Sequence, residues 1–94
     1  MLPEPLSPPE AKRLILAILQ NGTVSFSTHA RQEMAKDGLT AVDVVHVLRS
    51  GVVEPPEWEH RAWRYRVRAG RTTVVIVFRS AQALVVVTAW RSAR

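Results

Sequence analysis

The sequence predicts an α+β domain in which helices pack on one face of a mainly antiparallel sheet. Three amphipathic, capped segments occupy residues 8–50, and three alternating β-branched segments fill residues 62–90. Helices and strands that are separated along the chain are typical of this class. With 94 residues, 47% of them hydrophobic, the chain fits one domain with one modest core. We expect residues 1–94 to form that domain, with residues 1–6 flexible.

Each predicted helix begins at a hydroxyl side chain and ends at a glycine. Ser7, three residues before Glu10, has capping-box spacing, and the apolar stripe that follows ends at Asn21-Gly22. Ser27 is predicted to cap a second helix that ends near Asp37. Thr40 is predicted to cap a third helix, Ala41 to Ser50, which Gly51 closes. The third helix is expected to bury Ala41, Val44, Val45 and Leu48.

The strand signals are concentrated in the second half of the chain. Thr23 to Phe26 is short and β-branched, which predicts a brief strand. Val52 to Trp58 contains Pro55-Pro56, so we expect an edge segment or loop there. Three longer strands are predicted as an antiparallel meander, at about Ala62 to Arg68, Thr72 to Arg79 and Leu84 to Trp90.

Alternation along these strands predicts two unlike sheet faces. With even-numbered loops, Arg68 is expected opposite Arg71, Arg66 opposite Thr73, and Arg64 opposite Val75. In the second hairpin, Val75 is expected opposite Thr88, and Thr73 opposite Trp90. The polar face then carries Arg64, Arg66, Arg68, Arg71, Thr73, Arg79, Thr88 and Trp90. The face under the helices carries Trp63, Tyr65, Val67, Val74, Ile76, Phe78, Val85 and Val87.

Positive charge is localised at the end of the chain. Residues 61–94 contain eight arginines and no aspartate, glutamate or lysine, whereas residues 1–60 contain all eight acids. The guanidinium group matches phosphate oxygens and stacks on bases, which favours a nucleic-acid partner, most simply RNA. The alternative is a solvated sheet face or a charged edge strand that resists aggregation.

Composition also narrows the class of protein. Without cysteine, the chain forms no disulfide or thiolate metal site. The proline-rich, acidic start and the short apolar runs predict neither a signal peptide nor a membrane span, so we expect a cytoplasmic protein with no membrane association. No cofactor is predicted.

Metal-independent RNA cleavage needs a base, an acid and cations around the phosphate. His29 is the preferred proton-transfer group, although a histidine at a helix start often only bonds its neighbours. His29 and Glu33 have i, i+4 spacing but no third ligand, so no metal site is predicted. Glu59 and His60 are further candidates, with His60 expected as an ordinary surface histidine. Tyr65 is expected to be packed in the core.

Parts of the sequence resemble two kinds of bacterial protein. The runs Phe26-Ser27-Thr28-His29-Ala30, Gly38-Leu39-Thr40 and Val86-Val87-Thr88-Ala89-Trp90 resemble an uncharacterised bacterial family with an S-x-H-A helix and a V-V-x-T-A closing strand. That resemblance covers about Val24 to Arg91. The helix order, the strand at Trp63 and the final strand followed by Arg91 are similar to small bacterial toxins of the RelE and MqsR type.

The resemblance implies a type II toxin: a metal-independent endoribonuclease that cuts messenger RNA and is held inactive by a cognate antitoxin protein. On the enzyme hypothesis His29 is the leading acid or base candidate, Arg64, Arg66 and Arg91 hold the phosphate, and the RNA-binding residues are Arg68, Arg71, Arg79, Thr88 and Trp90. The chain departs from the MqsR pattern because arginines stand where those toxins have a glutamine and lysines. The alternative is a non-catalytic module that binds nucleic acid or an acidic partner protein. A third interpretation is a homodimer formed through a sheet edge.

Overall fold

The computed structural model describes residues 2–93 as a six-stranded, mostly antiparallel sheet with three helices on one side. The predicted α+β class is therefore confirmed. The helices are α1 (Pro8–Asn21), α2 (Thr28–Lys36) and α3 (Ala41–Ser50). The strands are β1 (Thr23–Phe26), β2 (Val52–Val53), β3 (Glu57–Glu59), β4 (Ala62–Ala69), β5 (Thr72–Ser80) and β6 (Ala83–Arg91). None of these helices is long and apolar enough to span a membrane.

The helix boundaries follow from local capping. Ser7 Oγ accepts from the Glu10 amide at 3.3 Å, and Glu10 Oε1 accepts from the Ser7 amide at 2.9 Å, so the predicted capping box is confirmed. Thr40 forms a second capping box with Asp43 at the start of α3. Ser27 Oγ accepts from the Ala30 amide at 3.0 Å and begins α2. These bonds satisfy amides that the first turn of a helix leaves without a partner.

The buried side of α3 differs from the predicted one. Val44, Val47 and Leu48 are buried, Val45 is half-buried, and Ala41 is exposed. The helix contacts both α1 and the strands β4 and β5, so its buried stripe is centred between those two neighbours. A valine-rich helix is compatible with more than one stripe, and the direction of its neighbours decides which one is buried.

The strand order across the sheet is β1-β6-β5-β4-β2, and β3 pairs with the outer end of β4. β1 runs parallel to β6, and the other pairs are antiparallel, which confirms the predicted meander of β4, β5 and β6. Pro55-Pro56 separates the short edge strands β2 and β3, as expected for residues that cannot donate to a ladder.

The register of the β4–β5 hairpin is shifted by two residues from the prediction. Arg68 pairs with Thr73, and Arg66 pairs with Val75. The two-residue turn is Gly70-Arg71, where Gly70 has a φ of +58°, rather than Ala69-Gly70. Because the shift is an even number of residues, each side chain stays on its predicted face.

A β-bulge changes the faces along β6. Val75 pairs with Thr88 as predicted, but the next residue of β5, Ile76, pairs with Val86, so Val87 is an extra residue. The expectation that Val85 and Val87 lie under the helices is therefore wrong, and Leu84 and Val86 are the buried residues. Because Val87 has no partner on β5, the residues of β6 before it face the side opposite to the one that alternation from Thr88 predicts.

The opening segment, residues 2–6, packs against the sheet, and Met1 is outside the described residues. The Tyr65 hydroxyl accepts from the Leu6 amide at 2.9 Å and donates to Glu4 Oε2 at 3.0 Å. Leu6 is buried, and Tyr65 is completely buried with its ring edge on Phe78. Burial raises the pKa of Tyr65 to about 12, so its predicted packing role is confirmed.

Candidate nucleic-acid interface

The sheet face turned away from the helices carries most of the predicted site residues, and we term it the open face. In the row nearest the Gly70 turn, Arg68 on β4, Thr73 on β5 and Trp90 on β6 are direct partners. The next row contains Arg66, Val75 and Thr88. Because neighbouring strands lie about 4.8 Å apart, the backbones of Arg68 and Trp90 are about 10 Å apart across Thr73.

A groove of about 330 Å³ opens at the first row, and we term it the end groove. It is lined by Arg68, Gly70, Arg71, Thr73, Trp90 and Ser92. Thr73 forms its floor and is only 3% exposed, although it faces away from the helices. Long side chains on the neighbouring strands cover the floor, as arginine stems commonly do. The fold thus brings the predicted Arg68, Arg71 and Trp90 together.

Carboxylates from the β2–β3 edge neutralise part of the open face. Glu57 forms an ion pair with Arg66, and Glu59 Oε1 lies 3.9 Å from Arg66 Nη2. Glu54 Oε2 lies 3.4 Å from Arg68 Nη2. The positive field over this face is therefore weaker than the charge-segregated sequence indicates. These three ion pairs were not predicted from the sequence, although Glu57 and Glu59 alternate immediately before the arginine strand and signal a hairpin.

Arg64 keeps an unsatisfied donor. Its Nε is buried and has no hydrogen-bond partner among residues 2–93. The cross-strand neighbour of Arg64 is Glu57, but the Glu57 carboxylate is paired with Arg66 instead. Buried donors are almost always satisfied in proteins, so this nitrogen is an exception, and because it is buried a ligand does not reach it without a rearrangement of the side chain.

Arg71 lies at the rim of the end groove. Its Nη1 donates to the Ala93 carbonyl at 2.8 Å, and its own carbonyl accepts from the Ser92 amide at 2.8 Å. These bonds hold the end of the chain beside the groove. Within residues 2–93 no carboxylate lies within ion-pair distance of Arg71, so its charge is available to a ligand.

Arg79 is remote from the end groove. It lies at the far end of β5, about 26 Å from Arg71 along the strand. There it lines a separate cavity of about 660 Å³ with Leu2 and Glu4 of the opening segment. Thr88 is half-buried in the middle row opposite Val75, between these two ends.

Arg91 points away from the open face. Its strand position places it with Ala89 on the helix side, and its Nη1 donates to the Asp37 carbonyl at 3.3 Å. The Arg91 amide donates to Asp37 Oδ2 at 2.8 Å. Arg91 therefore ties β6 to the end of α2, and the structure does not bring it together with Arg64 and Arg66, as the enzyme hypothesis expected.

The histidines lie outside the end groove. His29 is exposed at the second position of α2, and Glu33 bonds Lys36 Nζ at 2.8 Å, which lowers the pKa of Glu33. His60 is exposed in the two-residue turn between β3 and β4, where His60 and Arg61 both have positive φ. Residues 2–93 contain no group of three or more histidine, aspartate or glutamate side chains placed to hold a metal ion.

Fold and site define an α+β domain with an arginine-bearing open sheet face. Residues 26–91 match a family model described as a domain of unknown function, DUF4258, and because the match covers more than half of the chain, the protein belongs to that family. The matched range includes α2, α3 and every residue that lines the end groove except Ser92. No curated protein and no solved structure matches the chain.

Proposed function

We propose that the protein binds single-stranded RNA across its open face, with one nucleotide seated in the end groove. The observation that carries the proposal is the row of Arg68, Thr73 and Trp90 with Arg71 beside it. Guanidinium groups bind phosphate oxygens, and an indole ring stacks on a base. The groove volume, about 330 Å³, is at the lower end of the range of small-ligand sites, which suits one nucleotide unit.

The geometry favours a single strand over a duplex. An aromatic ring stacks only on a base whose face is free, and a paired helix hides its base faces within the stack. Trp90 is half-buried at the edge of a narrow groove, so it can meet one splayed base. No carboxylate within residues 2–93 pairs with the guanidinium group of Arg71, which is next to that position and can hold the adjoining phosphate.

RNA cleavage by a toxin-like endoribonuclease is the stronger form of this proposal. Its support on the open face is Arg64, which pairs with no carboxylate within residues 2–93 and whose charge suits the charge that develops on a phosphate during attack by the 2′-hydroxyl. Arg66 is two residues away on the same strand, although Glu57 shares its charge. His29 stays the proton-transfer hypothesis of this form, because Tyr65 is buried with its pKa at about 12, but α2 places His29 on the helix side of the sheet and not beside Arg64, so the geometry supports binding better than cleavage. A cognate antitoxin would then be the regulatory partner.

A non-catalytic binding module is the second candidate. The observation that favours it is that no histidine lines the end groove and that Arg91 bonds to Asp37 on the helix side. Phosphate binding requires only the cations and the stacking ring, whereas cleavage also requires a base and an acid. Binding and cleavage must therefore be measured separately.

The test uses a labelled single-stranded RNA of mixed sequence in excess chelator. Fluorescence anisotropy measures binding, and a denaturing gel measures cleavage of the same RNA. Arg68→Ala is expected to weaken binding by several-fold and to reduce the salt slope by about 1, the change for one lost phosphate contact. Arg13→Ala is the matched control, because Arg13 is exposed on α1.

The outcomes separate the two forms of the proposal. Fragments from the parent protein that disappear in both Arg64→Ala and His29→Gln would establish the ribonuclease. Intact RNA with Arg68-dependent binding would leave the binding module. If Arg68→Ala and Arg13→Ala weaken binding equally, the RNA is attracted only by net charge, and the end-groove proposal is refuted.

A further inference from the structure

The helix side of the molecule carries three depressions that follow one another along α3. The first has a volume of about 230 Å³ and lies between α2 and the start of α3; the second, about 340 Å³, lies along α3 itself; the third, about 310 Å³, lies between α1 and the end of α3. Ala41 lines the first and second, and Arg49 lines the second and third. The depressions are therefore neighbours along α3, and we term the three together the helix-side groove.

Apolar side chains are exposed in this groove. Val42 is 77% exposed and Leu16 is 39% exposed, and Val45 and Leu19 are half-buried between them. Exposed apolar residues scattered singly need no explanation, but these residues line linked depressions. A contiguous apolar surface with a polar rim is typical of a site that another molecule covers.

The charge of the groove is one-sided. Arg31, His46 and Arg49 line it, and no carboxylate lines it within residues 2–93. The nearest acid on α3, Asp43, bonds to Thr40 as a helix cap. An occupant with apolar side chains and acidic flanks would complement this surface. A second copy of this chain would not, because each copy carries a net charge of +5 and would present the same cations.

The dimensions of the groove fit a helix. From Ala41 to Arg49 the groove follows α3 for about 12 Å. That length corresponds to about two turns of a partner helix, over which apolar side chains at i, i+3, i+4 and i+7 would lie against the groove. We propose that the helix-side groove is the docking site for an acidic amphipathic helix of a partner protein.

This docking site is separate from the proposed RNA site. The end groove is on the opposite face of the sheet, so neither site blocks the other through shared residues. The docking proposal therefore stands whether or not the open face binds RNA. It also implies that a partner anchored on α3 reaches the arginines of the open face only by extending around the sheet edge.

The test uses the full chain and three labelled synthetic peptides of about 18 residues, about 27 Å as a helix. One has a leucine stripe with glutamates on its flanks, the second has lysines in place of the glutamates, and the third is a scrambled version of the first. We expect the acidic peptide to bind, and the lysine and scrambled peptides to bind at least about tenfold more weakly. Fluorescence anisotropy measures binding, and circular dichroism measures the helix that forms on binding.

Two valines provide matched variants. Val42→Glu is expected to abolish peptide binding, because it places a carboxylate in the centre of the groove. The fold is expected to survive, because an acid in the first turn of a helix is favourable. Val52→Glu is the control, since Val52 is 71% exposed on the β2 edge. The RNA affinity of Val42→Glu checks that the open face is intact.

Several results would overturn the docking proposal. The proposal fails if the acidic peptide does not bind at concentrations up to about 1 mM, if the acidic and basic peptides bind equally, or if Val42→Glu and Val52→Glu have equal effects on peptide binding. A dimer in analytical ultracentrifugation that Val42→Glu dissociates would instead assign the groove to a second copy. Binding to anionic lipid vesicles that Val42→Glu abolishes, without binding to the peptide, would assign it to a membrane surface.

Discussion

Removing an acid from the open face is expected to strengthen RNA binding. In Glu54→Gln the carboxylate 3.4 Å from Arg68 Nη2 is replaced by a neutral amide of the same shape. A phosphate on the other side of that guanidinium group would lie about 7 Å from Glu54. The repulsion that is removed is then about 0.6 kcal/mol in a water-like dielectric and about 2.4 kcal/mol at an effective dielectric of 20. The side chains of Arg68 and Glu54 are 54% and 36% exposed, so the lower value applies.

This energy corresponds to about threefold tighter binding. The assay is anisotropy of a labelled single-stranded RNA at several salt concentrations, and the gain is expected to shrink as salt rises because exposed charges are screened. The loss of the surface ion pair itself should change the free energy of unfolding by less than about 1 kcal/mol.

The matched control is Glu33→Gln, which removes the same charge and a comparable ion pair, with Lys36, from α2. Both variants raise the net charge equally, so a general electrostatic effect would increase their affinities equally. Equal gains, or no gain in Glu54→Gln, would refute the conclusion that Glu54 competes with phosphate for Arg68. The result does not depend on whether the RNA is cleaved.

Three other predictions concern the fold. Lys12 Nζ donates to three carbonyls at the end of α3 at 2.7 to 3.1 Å. Lys12→Met should therefore lower the free energy of unfolding, measured by urea denaturation, by about 1.5–3 kcal/mol. An unchanged value would show that water replaces these bonds. Capping bonds lower the pKa of Glu10 and Asp43, so the stability they add is present above the ordinary carboxyl pKa and is lost as pH falls through the lowered values. At pH values below about 4 the melting temperature should therefore decrease, and this decrease should be smaller in Glu10→Gln. Tyr65 is the single tyrosine, and its pKa is raised to about 12. Phenolate absorbance should therefore appear near pH 12 in the folded protein and near pH 10 in the protein unfolded in urea, and the free energy of unfolding should decrease as pH rises between those two values.

The helices could be predicted because their signals are local. Ser7 and Glu10, or Thr40 and Asp43, are three residues apart and bond within one turn of helix, so sequence spacing is enough to specify the bonds. The strand boundaries were predicted for a similar reason, since runs of β-branched residues end at turn residues. The buried stripe of α3 was predicted less well, because it depends on where α1, β4 and β5 lie.

The site was predicted only in part. Alternation placed Arg64, Arg66 and Arg68 on one face, and the structure groups Arg68 with Arg71 and Trp90 around the end groove. The proposed convergence of Arg91 and His29 with these arginines required knowledge of neighbouring elements. Arg91 is held on the helix side by Asp37, a residue 54 positions earlier in the chain.

The sequence alone determined the three helices, their caps, the meander and the face on which each β4 side chain lies, because these depend on contacts between residues close along the chain. Only the tertiary structure decided the charge of the open face and the existence of the helix-side groove. Glu54 and Glu57 reach the arginines because the β2–β3 edge pairs with β4, and the groove exists because three helices meet along α3. Such contacts depend on how elements pack in space, and spacing along the chain carries no record of that packing.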